Sequence, residues 1–230
     1  PLTKNKAKAL LPIKGKPIID YIVDEMWTMP DLEQIIVVSN HRFAADFAEW
    51  RKTRPNEDII VIDDGTSSDE DKLGAIGDMQ FVIEKLGIDD DFFVIAGDTL
   101  FTYKLKDAWT AFRTWENDMV LACEMPPGED LTRYAIATVD ETGSITSFEE
   151  KPANPKSNLA VFATYFYTRD TLPLISDYLA EGNSPDAPGH FPAWLFQRKT
   201  VKLFKFTGQC VDIGTPEAYA AVNQTWPEVC

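Results

Sequence analysis

The sequence predicts an α/β protein: a mostly parallel sheet flanked by helices, with a smaller mixed β region in the second half. Three observations predict it. Short apolar, β-branched runs alternate with segments whose apolar residues recur at helical spacing, the pattern of βαβ units. The early strand-like runs are apolar throughout rather than alternating, as in strands buried on both faces. After about residue 118 the alternation gives way to shorter strand-like runs.

Each element has its own signal. Ile18–Met29 reads as a helix, with Ile18, Ile19, Tyr21, Ile22, Val23 and Met26 at helical period and Pro17 near its first turn. Gln34–Val38 reads as a buried strand. Arg42–Lys52 carries Phe43, Ala44, Phe47 and Trp50 at helical spacing. Asp58–Ile62 is the next strand, and Asp63–Asp71, rich in Gly, Ser and Asp, is a loop. Leu73–Leu86 is helical, Phe92–Ala96 a central strand and Ala108–Trp115 a helix. Met119–Glu124, Tyr134–Val139 and Ser144–Glu149 follow as strands, the last two joined through a turn at Glu141-Thr142-Gly143. Ala160–Tyr167 is a strand, Asp170–Leu179 a helix, Val201–Phe206 a strand and Pro216–Asn223 a helix. No internal repeat or low-complexity tract occurs.

At 230 residues and 44% hydrophobic composition, the chain has enough apolar content for a buried core and suits a single domain, 1–230. No apolar run reaches the roughly 18–20 residues of a membrane span. Three widely spaced cysteines (Cys123, Cys210, Cys230) argue against a disulfide framework and fit a reducing, cytoplasmic setting. No Cys/His cluster has zinc spacing. The net charge of −15 disfavours nucleic acid or an anionic membrane as partner. Self-association as a homo-oligomer is left open.

Against that acidic background, the first residues concentrate Lys4, Lys6, Lys8, Lys14 and Lys16 between Pro1 and Pro17, just before a helix. Such a run is either an anion cradle or a solvated surface. Asp98 follows the strand Phe92–Ala96 after Gly97, at the carboxyl edge where open α/β sheets bind ligands. It suits a magnesium ligand, or an ordinary loop or cap aspartate. Thr215 and Pro216 read as a helix cap and first position, which leaves Asp212 unexplained. Phe148–Pro152 and Pro155–Val161 read as a strand end, a Pro-rich turn and a new strand. His41 and His190 lack sequence partners and read as structural or exposed.

Taken together these motifs resemble the sugar-1-phosphate nucleotidyltransferases, the enzymes that make nucleotide sugars. Lys8-Ala9-Leu10-Leu11-Pro12 with Gly15-Lys16-Pro17-Ile18-Ile19 resembles the second half of their signature, K-x-L-L-P and G-K-P followed by two hydrophobic residues. The first half, a glycine-rich loop ending G-T-R-L, is expected just before Pro1 and is absent from this chain. Gly97-Asp98-Thr99-Leu100-Phe101 resembles the family's G-D-N-hydrophobic-F metal motif, and Asp212-Ile213-Gly214-Thr215-Pro216-Glu217 its D-x-G-T-P-E motif. Glu149-Glu150-Lys151-Pro152 with Pro155-Lys156-Ser157-Asn158 through Val161 resembles E-E-K-P-x-x-P-K-S-N-x-A-V. Tyr134 corresponds to the tyrosine of a Y-G motif whose glycine is Ala135 here. Asp71–Ala75 takes the place of the segment that grips the nucleobase, with Lys72 where glycine is usual.

The resemblance implies a Rossmann-like nucleotide-diphospho-sugar transferase fold, with 1–117 as the nucleotide-binding part and 118–230 supplying the sugar-binding part and the second metal ligand. It implies the reaction of an NTP with a sugar 1-phosphate to give an NDP-sugar and pyrophosphate, with Mg2+ on Asp98 and Asp212. Lys8 and Asp98 would be catalytic. Leu73, Gly74 and Lys8 would bind the nucleotide, and Tyr134, Glu150, Lys151 and Val161 the sugar phosphate. The segment Asp186–Phe191 departs from the family's thymidylyltransferase pattern and would help shape the sugar side. A chain truly beginning at Pro1 is expected to lose its first strand, fold poorly and show little activity. Two other readings stay open: a cytidylyltransferase acting on phosphocholine or another non-sugar phosphate, and a non-catalytic nucleotide-sensing subunit.

Overall fold

The computed structural model describes residues 6–68, 70–213 and 215–226. After a 3-10 turn at Lys8–Leu10 come β1 (Pro12–Ile13), β2 (Lys16–Pro17), α1 (Ile18–Met26), β3 (Ile35–Ser39), α2 (His41–Lys52) and β4 (Ile59–Asp63). Next are α3 (Gly74–Leu86), β5 (Phe92–Ile95), β6 (Thr99–Phe101), α4 (Leu105–Trp115), β7 (Asp118–Glu124), β8 (Ala135–Val139) and β9 (Ile145–Glu150). The chain continues through β10 (Leu159–Tyr167), α5 (Leu172–Ala180), α6 (His190–Leu195), β11 (Val201–Lys205), β12 (Cys210–Asp212) and α7 (Pro216–Thr225). Helix ends follow local chemistry. The Asn40 side chain accepts from the Phe43 N–H at the start of α2. Gly87 closes α3 in the left-handed conformation. Thr215 accepts from the Ala218 N–H and Pro216 opens α7, as the sequence predicts.

The chain forms two compact units that interleave in sequence. The first takes 1–72, 96–107 and 208–230, and the second 73–95 and 108–207, so each draws on residues either side of position 117. In the first unit, β3 and β4 pair in parallel, as α/β alternation predicts. Arg54 ties its helices together: the guanidinium reaches Asp20, Asp24 and Glu57 at 2.5–2.9 Å. The Trp50 and Trp27 indoles donate to Asp20 and Glu57. Burial opposes ionisation of Asp24, but hydrogen bonds from Lys16 and Arg54 outweigh it and hold this carboxyl below its ordinary range.

The second unit is built on a six-stranded sheet, β11-β7-β10-β8-β9, with β5 also on β10. This sheet is mixed. Its β11–β7 pair is parallel, whereas β7–β10, β8–β10, β8–β9 and β5–β10 are antiparallel. The sequence led to a mostly parallel expectation because an apolar run reports burial on both faces, not strand direction. One face carries the core of α3, α5 and α6 side chains, with Tyr167, Phe191, Ile175, Leu195 and Ala122 fully enclosed. On the other, Phe166 meets Phe93, Phe112 and Trp109 with ring centroids 5.2–6.4 Å apart. Asp118, fully enclosed at the start of β7, accepts from the Thr168 N–H and from Thr171, with the Lys199 ammonium at 3.0 Å. No helix among the described residues is long and apolar enough to cross a membrane.

The Tyr167 hydroxyl is enclosed by aromatic rings and has no hydrogen-bond partner among the described residues. Burial pushes this phenol well above its ordinary pKa. Tyr167→Phe is therefore expected to leave stability unchanged or raise it by about 1 kcal/mol, since an unsatisfied buried hydroxyl is removed. Urea unfolding checks this, and a loss above about 1 kcal/mol would mean that the hydroxyl has a partner.

Candidate active site

In the first unit the candidate residues meet on short elements. Ala9, Leu10 and Leu11 are buried and fix the turn that carries Lys8. Its ammonium lies 2.7 Å from Asp98 Oδ2, with side-chain exposures of 23% and 41%. Asp98 sits in the turn before β6. Gly97 is not forced by sterics there, because a Cβ would make only an ordinary 3.7 Å contact with Ala9. β12 pairs antiparallel with β6, placing the backbone of Asp212 opposite Thr99, one residue from Asp98. Cα atoms so paired are about 4.5–5.5 Å apart. Two aspartates 114 positions apart in sequence thus occupy adjacent backbone positions.

The rest of the lysine-rich segment behaves differently from a cradle. β1 and β2 form a tight hairpin whose turn residues, Lys14 and Gly15, both have positive φ. Lys14 donates to Asn223 and Gln224 of α7, and Lys16 pairs with Asp24. These two lysines are therefore held by structural partners, while Lys4 lies outside the described residues.

In the second unit, sheet register aligns three candidates. Glu150 of β9 lies opposite Ala135 of β8, and Ala135 lies opposite Val161 of β10. Residues so aligned share a face, here the one bearing the main core. The Glu150 carboxylate makes no hydrogen bond or ion pair with any described residue, although the buried Tyr165 phenol feels its charge. Lys151 has φ +47°, an uncommon conformation for a non-glycine residue, and its N–H donates to the Tyr134 carbonyl at 3.1 Å. The Tyr134 ring packs on Phe162, one position from Val161 and so on the opposite face of the sheet. The Tyr134 carbonyl, in contrast, meets Lys151, the residue after Glu150. Lys156, Ser157 and Asn158 are tied to Glu149, the Ala137 carbonyl and the Met125 carbonyl, which fixes the turn into β10.

Leu73 and Gly74 open α3. Gly74 has φ +77°, and a Cβ there would fall 2.5 Å from the Pro185 carbonyl oxygen. The close approach that needs glycine is thus made with the segment 185–186. Its two carbonyls accept from the Ile76 and Ala75 N–H groups at 2.9 and 3.1 Å. That segment's capping role has no sequence signal beyond its Pro/Gly content.

The Asp98 carboxylate is of a type that suits a hard cation. Carboxylate oxygen suits magnesium, which takes one or two carboxylates and leaves its other positions to water and phosphate. The lysine ammonium on Asp98 stands where such positive charge would be welcome. No group of three or more His, Cys, Asp or Glu residues among those described forms a dedicated metal cage. His41, at the carboxyl edge of β3, has a partner after all: its Nδ1 is 2.6 Å from Asp63. His190 keeps a buried Nδ1 without a hydrogen-bond partner among the described residues.

The sequence profile of the family described as nucleotidyl transferase matches residues 1–228. The chain is 27% identical over 220 residues to the bifunctional protein GlmU of Methanocaldococcus jannaschii, covering 94% of this chain and 48% of that protein. It is 24% identical over 223 residues to the UTP–glucose-1-phosphate uridylyltransferase AglF of Haloferax volcanii, covering 94% and 86%. It spans about half the length of several of the curated relatives that it matches. Its fold is similar to that of a UDP-glucose pyrophosphorylase solved with UDP-glucose, with a TM-score of 0.81 at 21% identity, over 98% of this chain and 92% of that one.

The Asp63 hydrogen bond, with its charge, raises the His41 pKa above 6.5. The pair's contribution to stability is then fully present below the unfolded value and fades as pH rises through the folded one. An NMR titration should find the His41 ring titrating above 6.5 and returning toward it in Asp63→Asn. An unshifted wild-type ring would refute the contact.

Proposed function

The chain belongs to the nucleotidyl transferase family, and on that premise we propose that it transfers a nucleotidyl group from an NTP to a sugar 1-phosphate, releasing pyrophosphate. The observation that carries the proposal is the Lys8–Asp98 pair beside the Asp212 strand. Cationic and carboxylate groups at that position suit a polyphosphate with its divalent counterion.

The attacking atom is a phosphate oxygen. A phosphate monoester has its second pKa at about 6 and is already largely ionised at neutral pH. No side chain need remove a proton, so alignment and charge neutralisation carry the catalysis. Lys8 is a cation for the α-phosphate and for the charge that builds on the leaving pyrophosphate. Lys151 holds the attacking phosphate; its unusual backbone, fastened to the Tyr134 carbonyl, keeps it from the extended course of β9. That gives Tyr134 a backbone role. Glu150 accepts hydrogen bonds from sugar hydroxyls, with Val161 as an apolar neighbour across Ala135. Leu73 and Gly74 form the surface against which the base stacks. Asp98 and Asp212 would hold Mg2+, which when bound supplies further neutralisation of phosphate charge.

A pyrophosphate-release assay of the common NTPs against a panel of sugar 1-phosphates tests the reading, and no release from any pair ends it. Asp98→Asn is expected to abolish magnesium-dependent turnover with an unchanged thermal melt; near-normal turnover would remove Asp98 from the metal site. Lys8→Ala should lower kcat by about a hundredfold or more, the scale on which removing one charge-stabilising donor acts. A change confined to KM would reduce Lys8 to a binding group.

A further inference from the structure

We infer that Gly189 is a positioning residue for the Glu150 carboxylate, and thereby a determinant of sugar-phosphate affinity; this rests on the reading of Glu150 given above. Gly189 is buried immediately before α6 and has φ −69°, ψ −17°, a conformation open to any residue. Backbone geometry therefore does not demand glycine here, unlike Gly74. The demand is spatial. A Cβ on Gly189 would stand 2.6 Å from Glu150 Oε2, 3.7 Å from its Cδ and 3.6 Å from the Tyr165 hydroxyl. The first of these is closer than any real Cβ contact.

One of the two partners would have to yield. The segment leading into Gly189 is fastened at several points. Pro185 and Asp186 cap the first amides of α3, the Ser184 carbonyl accepts from the Tyr178 hydroxyl, and the Ala187 carbonyl accepts from the His190 N–H. Glu150 is the softer partner, because its carboxylate ends a flexible side chain and makes no hydrogen bond or ion pair with any described residue. A methyl group at 189 would therefore cost the fold little and would displace the carboxylate. In the native chain the missing side chain of Gly189 leaves open the space that the carboxylate occupies.

Steady-state kinetics on an NTP and sugar 1-phosphate pair that the wild type uses tests this, with Gly189→Ala, Glu150→Gln, Glu150→Asp and the double variant G189A/E150D. Gly189→Ala should raise KM for the sugar 1-phosphate about tenfold, as for loss of one charge-assisted hydrogen bond, leaving the NTP KM and the thermal melt unchanged. The shorter aspartate removes the collision, so adding G189A to E150D should cost no more than about twofold, a non-additivity that a purely structural role would not produce. If E150Q raises the sugar-phosphate KM but G189A does not, the inference fails and the role of Glu150 stands. If neither does, the role of Glu150 fails. Equal rises in both KM values, or strict additivity, would overturn the positioning role. A wild type that turns over no pair ends both proposals.

Discussion

The second unit depends on β10. This nine-residue strand pairs with β7 along one edge and, along the other, with β8 at its start and β5 at its end. Its backbone hydrogen bonds must be shared among three strands, so each neighbour's register is fixed relative to the same few residues. Because a one-residue slip would turn every side chain to the wrong face, the apolar residues of β10 lock the arrangement. Leu159, Val161, Tyr165 and Tyr167 belong to one core, and Phe166 to the aromatic group on the other side. A register shift between Phe162 and Tyr165 is absorbed within the strand.

That register also sets where the candidate residues of the second unit lie. Val161 is opposite Ala135, and Ala135 is opposite Glu150, so a carboxylate from one strand and an apolar side chain from another come to lie in one row. The backbone of Lys151 then bends away, fastened to Tyr134. The segment 184–189 fills the space beside that row while capping α3. A single loop therefore bears on both the turn at Gly74 and the carboxylate of Glu150.

The first unit solves a different problem with the same means. Asp98 and Asp212 come from opposite ends of a long stretch of chain. The pairing of β6 with β12, two strands of three residues each, sets their backbones one position apart. Such short strands bury little themselves. β6 is anchored by its own Leu100, which is fully enclosed, and α7 is fastened to the β1–β2 hairpin through Lys14 and through the Tyr219 hydroxyl on the Pro12 carbonyl. The lysines around the hairpin thus differ in their partners, Lys14 and Lys16 being tied to α7 and α1 and Lys8 to Asp98.

Periodicity in the sequence determined the elements whose apolar faces are long enough to register: α1, α2, α3, β3, β4, β5, β7 and β10 all lie within a few residues of where the pattern sets them. It also determined which residue types could handle phosphate, since lysine and aspartate beside glycine and proline are read directly from the chain. The tertiary structure alone decided the rest. Strand direction in the main sheet, the short strands β1, β2, β6 and β12, and the six-residue α6 leave too few side chains to form a pattern. The Tyr134 ring points away from Glu150 because alternation along a strand assigns faces only once register is known. Gly189 matters because of an atom 39 residues earlier in the chain. Local sequence encodes conformation and burial, but which distant groups collide or meet is set by packing.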